Sequence, residues 1–201
     1  NDLPSSDQLL FGKVVYSKHA HAGIIKLDVS EALKIEGVHS VLTFKDIPGA
    51  NQMGPIIHDE LCLAENEVTF IGQAIVLIAA SNEEIAREAE KRIVIEYEPL
   101  EAILDIETAI AKNNIIAPER IIEKGNSDAA LKNAPHVIEG ELKTGAQEHW
   151  YLETQTALAV PGEGKEMVVH ASSQNPTETQ AIVAEVLGIP RNEIEVEVRR
   201  M

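Results

Sequence analysis

Apolar residues recur at two periods along this chain, and the change from one to the other marks out its elements. Within "GKVVYSKHAHAGIIKLDVS", the pairs Val14-Val15 and Ile24-Ile25 with Leu27 predict two β segments. "SEALKIEGV" predicts a short helix with Ser30 as its cap and Gly37 as its stop. "HSVLTFKDI" predicts a strand that Pro48-Gly49 ends. "EVTFIGQAIVLIAA" is rich in β-branched residues and predicts one or two buried strands, with Gln73 interrupting the apolar run from Ile71 to Ala80. Ser81 and Glu84 have the spacing of a capping box, ahead of a helix with Ile85, Ala86 and Ala89 on one face. "RIVIEYEPL" alternates Ile93, Ile95 and Tyr97 against Val94, Glu96 and Glu98, which predicts a strand closed by Pro99.

Residues 110–128, with Asn113-Asn114, Pro118 and Gly125-Asn126, read as a connector. A short helix, "SDAALKNA", and a strand, "HVIEGELKT" with Val137 and Ile138 apolar, are expected next. "TALAV" and "EMVVHAS" predict two strands around the turn "PGEGKE". Asn175, Pro176 and Glu178 occupy the cap, first-turn and capping-box positions of a helix expected to bury Ile182, Val183, Val186 and Leu187, with Gly188 and Pro190 ending it. "EIEVEVRR" predicts a last strand with Ile194, Val196 and Val198 on one face. That strand reaches Met201, so its neighbours are expected outside the chain, and residues 120–201 are expected to show exposed apolar edges. The fold class is α+β: one domain over 1–112, a connector over 113–128 and an incomplete second domain over 129–201.

Composition narrows the class. A chain of 201 residues with 44% hydrophobic and 25% charged residues can bury a core. No apolar run reaches the roughly 20 residues that span a bilayer. The first ten residues show no basic segment followed by an apolar one, so no signal peptide is expected. Seventeen basic against 33 acidic residues give a net charge of −16, which repels nucleic-acid phosphates and anionic membranes. The one cysteine, Cys62, excludes an internal disulfide and a four-cysteine cluster within the chain. A reduced, cytoplasmic setting is expected, with Cys62 a small half-buried side chain.

Few residues suggest chemistry. His19 and His21 lie two apart, on one face if on a strand, but no further metal ligand is evident nearby, so polar residues at a strand end are expected. "GEGKE" at 162–166 lacks the Gly-Lys-Ser/Thr ending of a phosphate loop and lies between strands, so a plain turn is expected. "GAQEHWYLETQ" at 145–155 is the densest cluster, holding two adjacent aromatics in a chain only 3% aromatic. Gly145 permits close backbone approach, Gln147 offers donor and acceptor together, and Trp150 and Tyr151 can wall a site. From these residues alone, a buried polar strand end stays ahead of a ligand site, because nothing in the spacing dictates a reaction.

"GAQEHWYLETQ" followed by "SSQNPTETQAIVAEVLGIPRNEIEVEVRRM" resembles the molybdenum-binding subunit of the xanthine dehydrogenase/aldehyde oxidase family. "GKVVYSKHAHAGIIKLDVSEAL", "GVHSVLTFKDIPGANQMG", "ENEVTFIGQAIVLIAA" and "VIEYEPLEAILDIETAI" resemble, in order, that family's α/β hammerhead domain. The resemblance spans essentially the whole chain. It implies a hammerhead domain over 1–112 and the first part of a molybdopterin-binding domain over 129–201. It also implies a molybdenum hydroxylase, most closely of the xanthine dehydrogenase type. Such an enzyme oxidises a purine at an electron-poor carbon, with water as the oxygen source. In that family a pterin dithiolene, not the protein, binds molybdenum, and the glutamine of a G-Q-E-H-F-Y-L-E pattern lies against the metal's oxo ligand. Gln147 matches that glutamine; Ala146 stands where a second glycine is common, and Trp150 where phenylalanine is usual.

The resemblance leaves Glu148 and His149 without a role. It places the family's Gly-rich segment and its substrate-binding and general-base residues beyond Met201, so this chain alone is expected to be inactive. Iron–sulfur and FAD centres are then expected on other subunits or regions, with the C-terminal remainder of the protein as a further partner. An aldehyde or N-heterocycle oxidoreductase on the same scaffold and a non-catalytic assembly module are the alternatives.

Overall fold

The computed structural model describes residues 8–152 and 154–199. Glu153 of the aromatic cluster and the terminal Arg200-Met201 lie outside the described residues. The described chain divides into two compact units: one joins residues up to Ala102 with those after 153, and the other is Ile103–Leu152.

The first unit opens with β1 (Phe11–Tyr16) and β2 (Ala22–Asp28), as the apolar pairs predict. The helix expected over 30–36 is reduced to a single 3-10 turn, Ala32–Lys34, and Ser30 does not cap it. Instead Asp28 accepts from the Ser30 amide at 3.0 Å. The chain then enters β3 (Val38–Leu42) through Gly37, whose φ of 89° lies outside the helical region. β3 is also shorter than expected. Asp46 accepts from the Thr43 amide at 2.8 Å and from its hydroxyl at 2.9 Å, and this bends Phe44–Asp46 into another 3-10 turn.

After β4 (Glu67–Val68), the central strand β5 (Ala74–Ala80) carries no charge and is flanked antiparallel by β1 and β3. Gln73 ends the turn before it, buried but satisfied, with its Oε1 accepting from the Thr69 amide at 2.8 Å. The cap of α1 (Glu83–Arg92) is Asn82, not Ser81: the Asn82 oxygen accepts from the Ile85 amide at 2.9 Å. Ser81 turns its hydroxyl onto the Gly37 carbonyl at 2.9 Å and ties the helix entrance to β3. β6 (Val94–Pro99) pairs with β2, which also pairs with β4. Val15, Val41, Ile75, Val76 and Ile78 form the core with Ala86 and Ala89 of α1, joined by Ala22 and Val68 from the second sheet.

In the second unit, α2 (Ile106–Ala111) and α3 (Ser127–Asn133) are short helices capped by the side chains of Asp105 and Asn126. The α3 helix was expected; α2 was not. The strand expected over 136–144 is not present: none of these residues joins a ladder among the described residues, and Ile138 is 97% exposed. A strand needs a neighbour for its amides and carbonyls, and none lies beside this one.

The chain then returns to the first unit as the hairpin β7 (Ala157–Pro161) and β8 (Met167–Ala171). "GEGKE" is its turn, with Gly162 donating to the Glu166 carbonyl at 2.8 Å. α4 (Pro176–Leu187) is capped by Asn175, which accepts from the Glu178 amide at 3.1 Å. It leads into β9 (Ile194–Glu197), parallel to β8. β9 pairs only with β8 among the described residues, so its outer edge is open as expected, while Ile194 is buried against Val169 and Ala184, with Val183, Leu187 and Val196 packed around them. Ile182 and Val186 of α4 are only half-buried.

Main-chain bonds also join residues 49–50 to the end of α4. The last carbonyls of a helix lack partners within it. Here the Gly49 amide donates to the Val186 carbonyl at 2.9 Å and the Ala50 amide to the Glu185 carbonyl at 3.0 Å. A Cβ on Gly49 would stand 2.1 Å from the Glu185 oxygen, so this approach requires glycine. Gly188, at φ 64°, reverses the chain there in the left-handed conformation.

Candidate functional site

No side chain of Ile103–Leu152 is buried, and residues 145–152 form no ladder. Trp150 is 82% exposed and Leu152 99% exposed, which overturns the reading of this cluster as a buried polar strand end. Trp150 holds φ at 51°, a left-handed conformation that bulky residues rarely adopt, so the extended run kinks right after His149. Beyond the kink, Ser172 anchors the chain to the end of β8: its hydroxyl accepts from the Thr156 amide at 2.9 Å and lies 3.3 Å from the Thr154 carbonyl.

Within this stretch Gln147 is exposed, and its amide makes no hydrogen bond among the described residues. Gly145 has nothing within 4 Å of where a Cβ would stand. Glu148 turns its carboxylate back onto the His149 amide at 3.0 Å. The stretch presents one carboxamide and two aromatic side chains beside the exposed groups of Glu148 and His149. That set fits an oxygen-rich cofactor whose metal is held by its own ligands. It contains no thiolate and no cluster of histidines and carboxylates that would hold a bare metal, and none occurs elsewhere among the described residues.

The other candidates resolve simply. His19 and His21 lie in the loop between β1 and β2, not on one strand face. His19 packs on the Tyr97 ring with centroids 4.5 Å apart, while His21 bonds to Glu67 at 2.7 Å and to the Glu101 carbonyl at 2.7 Å. Cys62 is half-buried, and burial pushes its thiol up and away from reactivity. A groove of about 340 Å³ runs between residues 52–58 and α4, with Glu178, Glu185 and Arg191 mixed among apolar neighbours. The Gly49 junction escaped the sequence. Its only signal was a Pro-Gly pair, which reads as a strand stop.

Residues 1–101 match the family described as aldehyde oxidase and xanthine dehydrogenase, a/b hammerhead domain. Residues 109–201 match the molybdopterin cofactor-binding domain. The chain belongs to the aldehyde oxidase and xanthine dehydrogenase family. It is 45% identical over 192 residues to a xanthine dehydrogenase of Dictyostelium discoideum, covering 96% of this chain and 14% of that protein. It is likewise 45% identical over 202 residues to aldehyde oxidase 4 of Cavia porcellus, covering 100% of this chain and 15% of that protein. Among solved structures it resembles the aldehyde oxidoreductase of Desulfovibrio gigas, with a TM-score of 0.84 and 26% identity, over 96% of this chain and 23% of that one. The chain therefore spans about a seventh of the curated relatives it matches. No helix among the described residues is long and apolar enough to cross a membrane.

Proposed function

We propose that this chain supplies one wall of the active site in a xanthine dehydrogenase-type molybdenum hydroxylase that oxidises a purine at an electron-poor carbon, with water as the oxygen source. The carrying observation is Gln147: an exposed, uncommitted carboxamide within the stretch that matches the molybdopterin cofactor-binding domain. When bound, the molybdenum–pterin cofactor supplies the redox chemistry. Gln147 would contact its oxo group through a neutral amide, which can donate or accept as protonation there changes and leaves the metal's own ligands untouched. Gly145 keeps the main chain thin at the same place, and Trp150 and Tyr151 would shield the contact from water.

The remaining parts of such an enzyme belong to regions outside this chain, which spans about a seventh of its relatives. One cysteine cannot hold iron–sulfur clusters, so those clusters and FAD are assigned to other regions or subunits. A cytoplasmic setting accords with that lone, half-buried thiol. An aldehyde or N-heterocycle substrate is the second reading, favoured by the equal identity to aldehyde oxidase 4.

The test is made on the assembled full-length protein. Stoichiometric molybdenum with turnover of xanthine supports the proposal, and turnover of aldehydes alone supports the second reading. Absence of molybdenum would reduce the chain to an assembly module. Gln147→Ala is expected to retain the pterin and lower turnover by about 10–100-fold, the usual cost of removing a group that orients a metal's own ligands. Unchanged turnover would remove Gln147 from the site.

A further inference from the structure

His21 is held from both ends of its ring. Nδ1 lies 2.7 Å from the Glu101 carbonyl and Nε2 lies 2.7 Å from a Glu67 carboxylate oxygen. Both partners are acceptors. A neutral imidazole has one N–H and one lone pair, so it satisfies one partner and sets its lone pair against the other. Only the imidazolium donates to both.

The position gives this pair of bonds a consequence. Main-chain pairing ties Ala22 to Pro99, and the Leu100 amide donates to the His21 carbonyl at 3.0 Å. The ring adds a tie at Glu101, one residue before the first unit ends at Ala102. We propose that His21 is a pH-sensitive clasp: as a cation it pins Glu101 to Glu67 of β4, and on losing its proton it lets the chain fray at the joint where Ile103–Leu152 begins.

The titratable groups on the elements around it are Glu67 of β4, Tyr97 and Glu98 of β6, Glu101 just beyond, and Lys18 and His19 on its own loop. Among them Glu67 acts on His21 through its charge, whereas His19 is stacked on Tyr97. The bond to the Glu101 carbonyl first, and the bond to Glu67 second, hold the imidazole above its ordinary value. A raised histidine contributes fully below its unfolded pKa of about 6.5 and loses that contribution as the pH climbs through the raised folded value. The clasp is therefore closed in mild acid and opens as the pH climbs through the raised folded value.

Limited chymotryptic cleavage of the full chain at Leu100 and Leu104 reads the fraying. Rates are taken relative to those on a peptide of residues 95–110 at each pH. The relative rate is expected to rise severalfold with a midpoint above pH 6.5, to lose its pH dependence in His21→Gln, and to shift its midpoint downward in Glu67→Gln. A flat profile in the wild type, or the same step in His21→Gln, would overturn the clasp. If His21→Gln does not fold, imidazole ¹⁵N shifts of the wild type decide. A ring still mostly protonated at both nitrogens at pH 6.5 supports the clasp, and a mostly neutral ring there refutes it.

Discussion

The junction at Gly49 makes the sharpest quantitative claim. In Gly49→Ala the new methyl would lie 2.1 Å from the Glu185 oxygen and 2.5 Å from the Gly188 nitrogen, both main-chain atoms. Neither is the tip of a flexible side chain, so the loop must withdraw by about 1 Å to restore van der Waals contact. That withdrawal stretches two bonds at once, Gly49 to Val186 and Ala50 to Glu185, now 2.9 and 3.0 Å long. At about 1 kcal/mol net each, their loss costs about 2 kcal/mol. For a chain of this length, 2 kcal/mol corresponds to a fall in melting temperature of about 4–8 °C. Gly12→Ala is the control, because nothing lies within 4 Å of its added methyl and alanine is the better strand residue there. Circular dichroism melts report the global cost, and hydrogen exchange at the Gly49 and Ala50 amides reports the local one. If Gly49→Ala melts within a degree of the wild type and both amides keep their protection, residues 49–50 are not joined to α4 as described.

Asn82→Ala should cost about 1 kcal/mol in urea denaturation and Asn82→Asp should recover most of it, because the cap is the oxygen bonded to the Ile85 amide. Glu84→Ala should stay within about 0.5 kcal/mol, as for other exposed positions, and a larger loss would restore Ser81 and Glu84 as the cap pair. Trp150 is the lone tryptophan and 82% exposed, so emission of the chain should match that of solvated indole and be fully open to acrylamide. A blue-shifted, protected spectrum would contradict the exposed placement of 145–152.

Local pattern carried most of the elements. The alternation of Ile93, Ile95 and Tyr97, the uncharged run of β5, and the Asn175-Pro176 cap with Gly188 as stop all correspond to elements of the structure. These signals work because period, cap and stop act within a few residues of one another. The pattern misled where a distant neighbour decides. "HVIEGELKT" has strand composition without a partner strand, and "SEALKIEGV" has helical residues but no side-chain cap and makes a single 3-10 turn.

The chemistry divides in the same way. Residue types within "GAQEHWYLE", taken with their ordered neighbours, pointed to the family and to Gln147, because side-chain chemistry and chain order are properties of sequence itself. Sequence did not disclose that the stretch is open to solvent, that His21 bonds one acceptor on β4 and another just beyond β6, or that Gly49 closes the end of α4. Each of these depends on atoms 46 to 137 positions apart meeting within hydrogen-bond distance or failing to meet. Exposure and long-range partnership follow from how the whole chain packs, which no local spacing encodes.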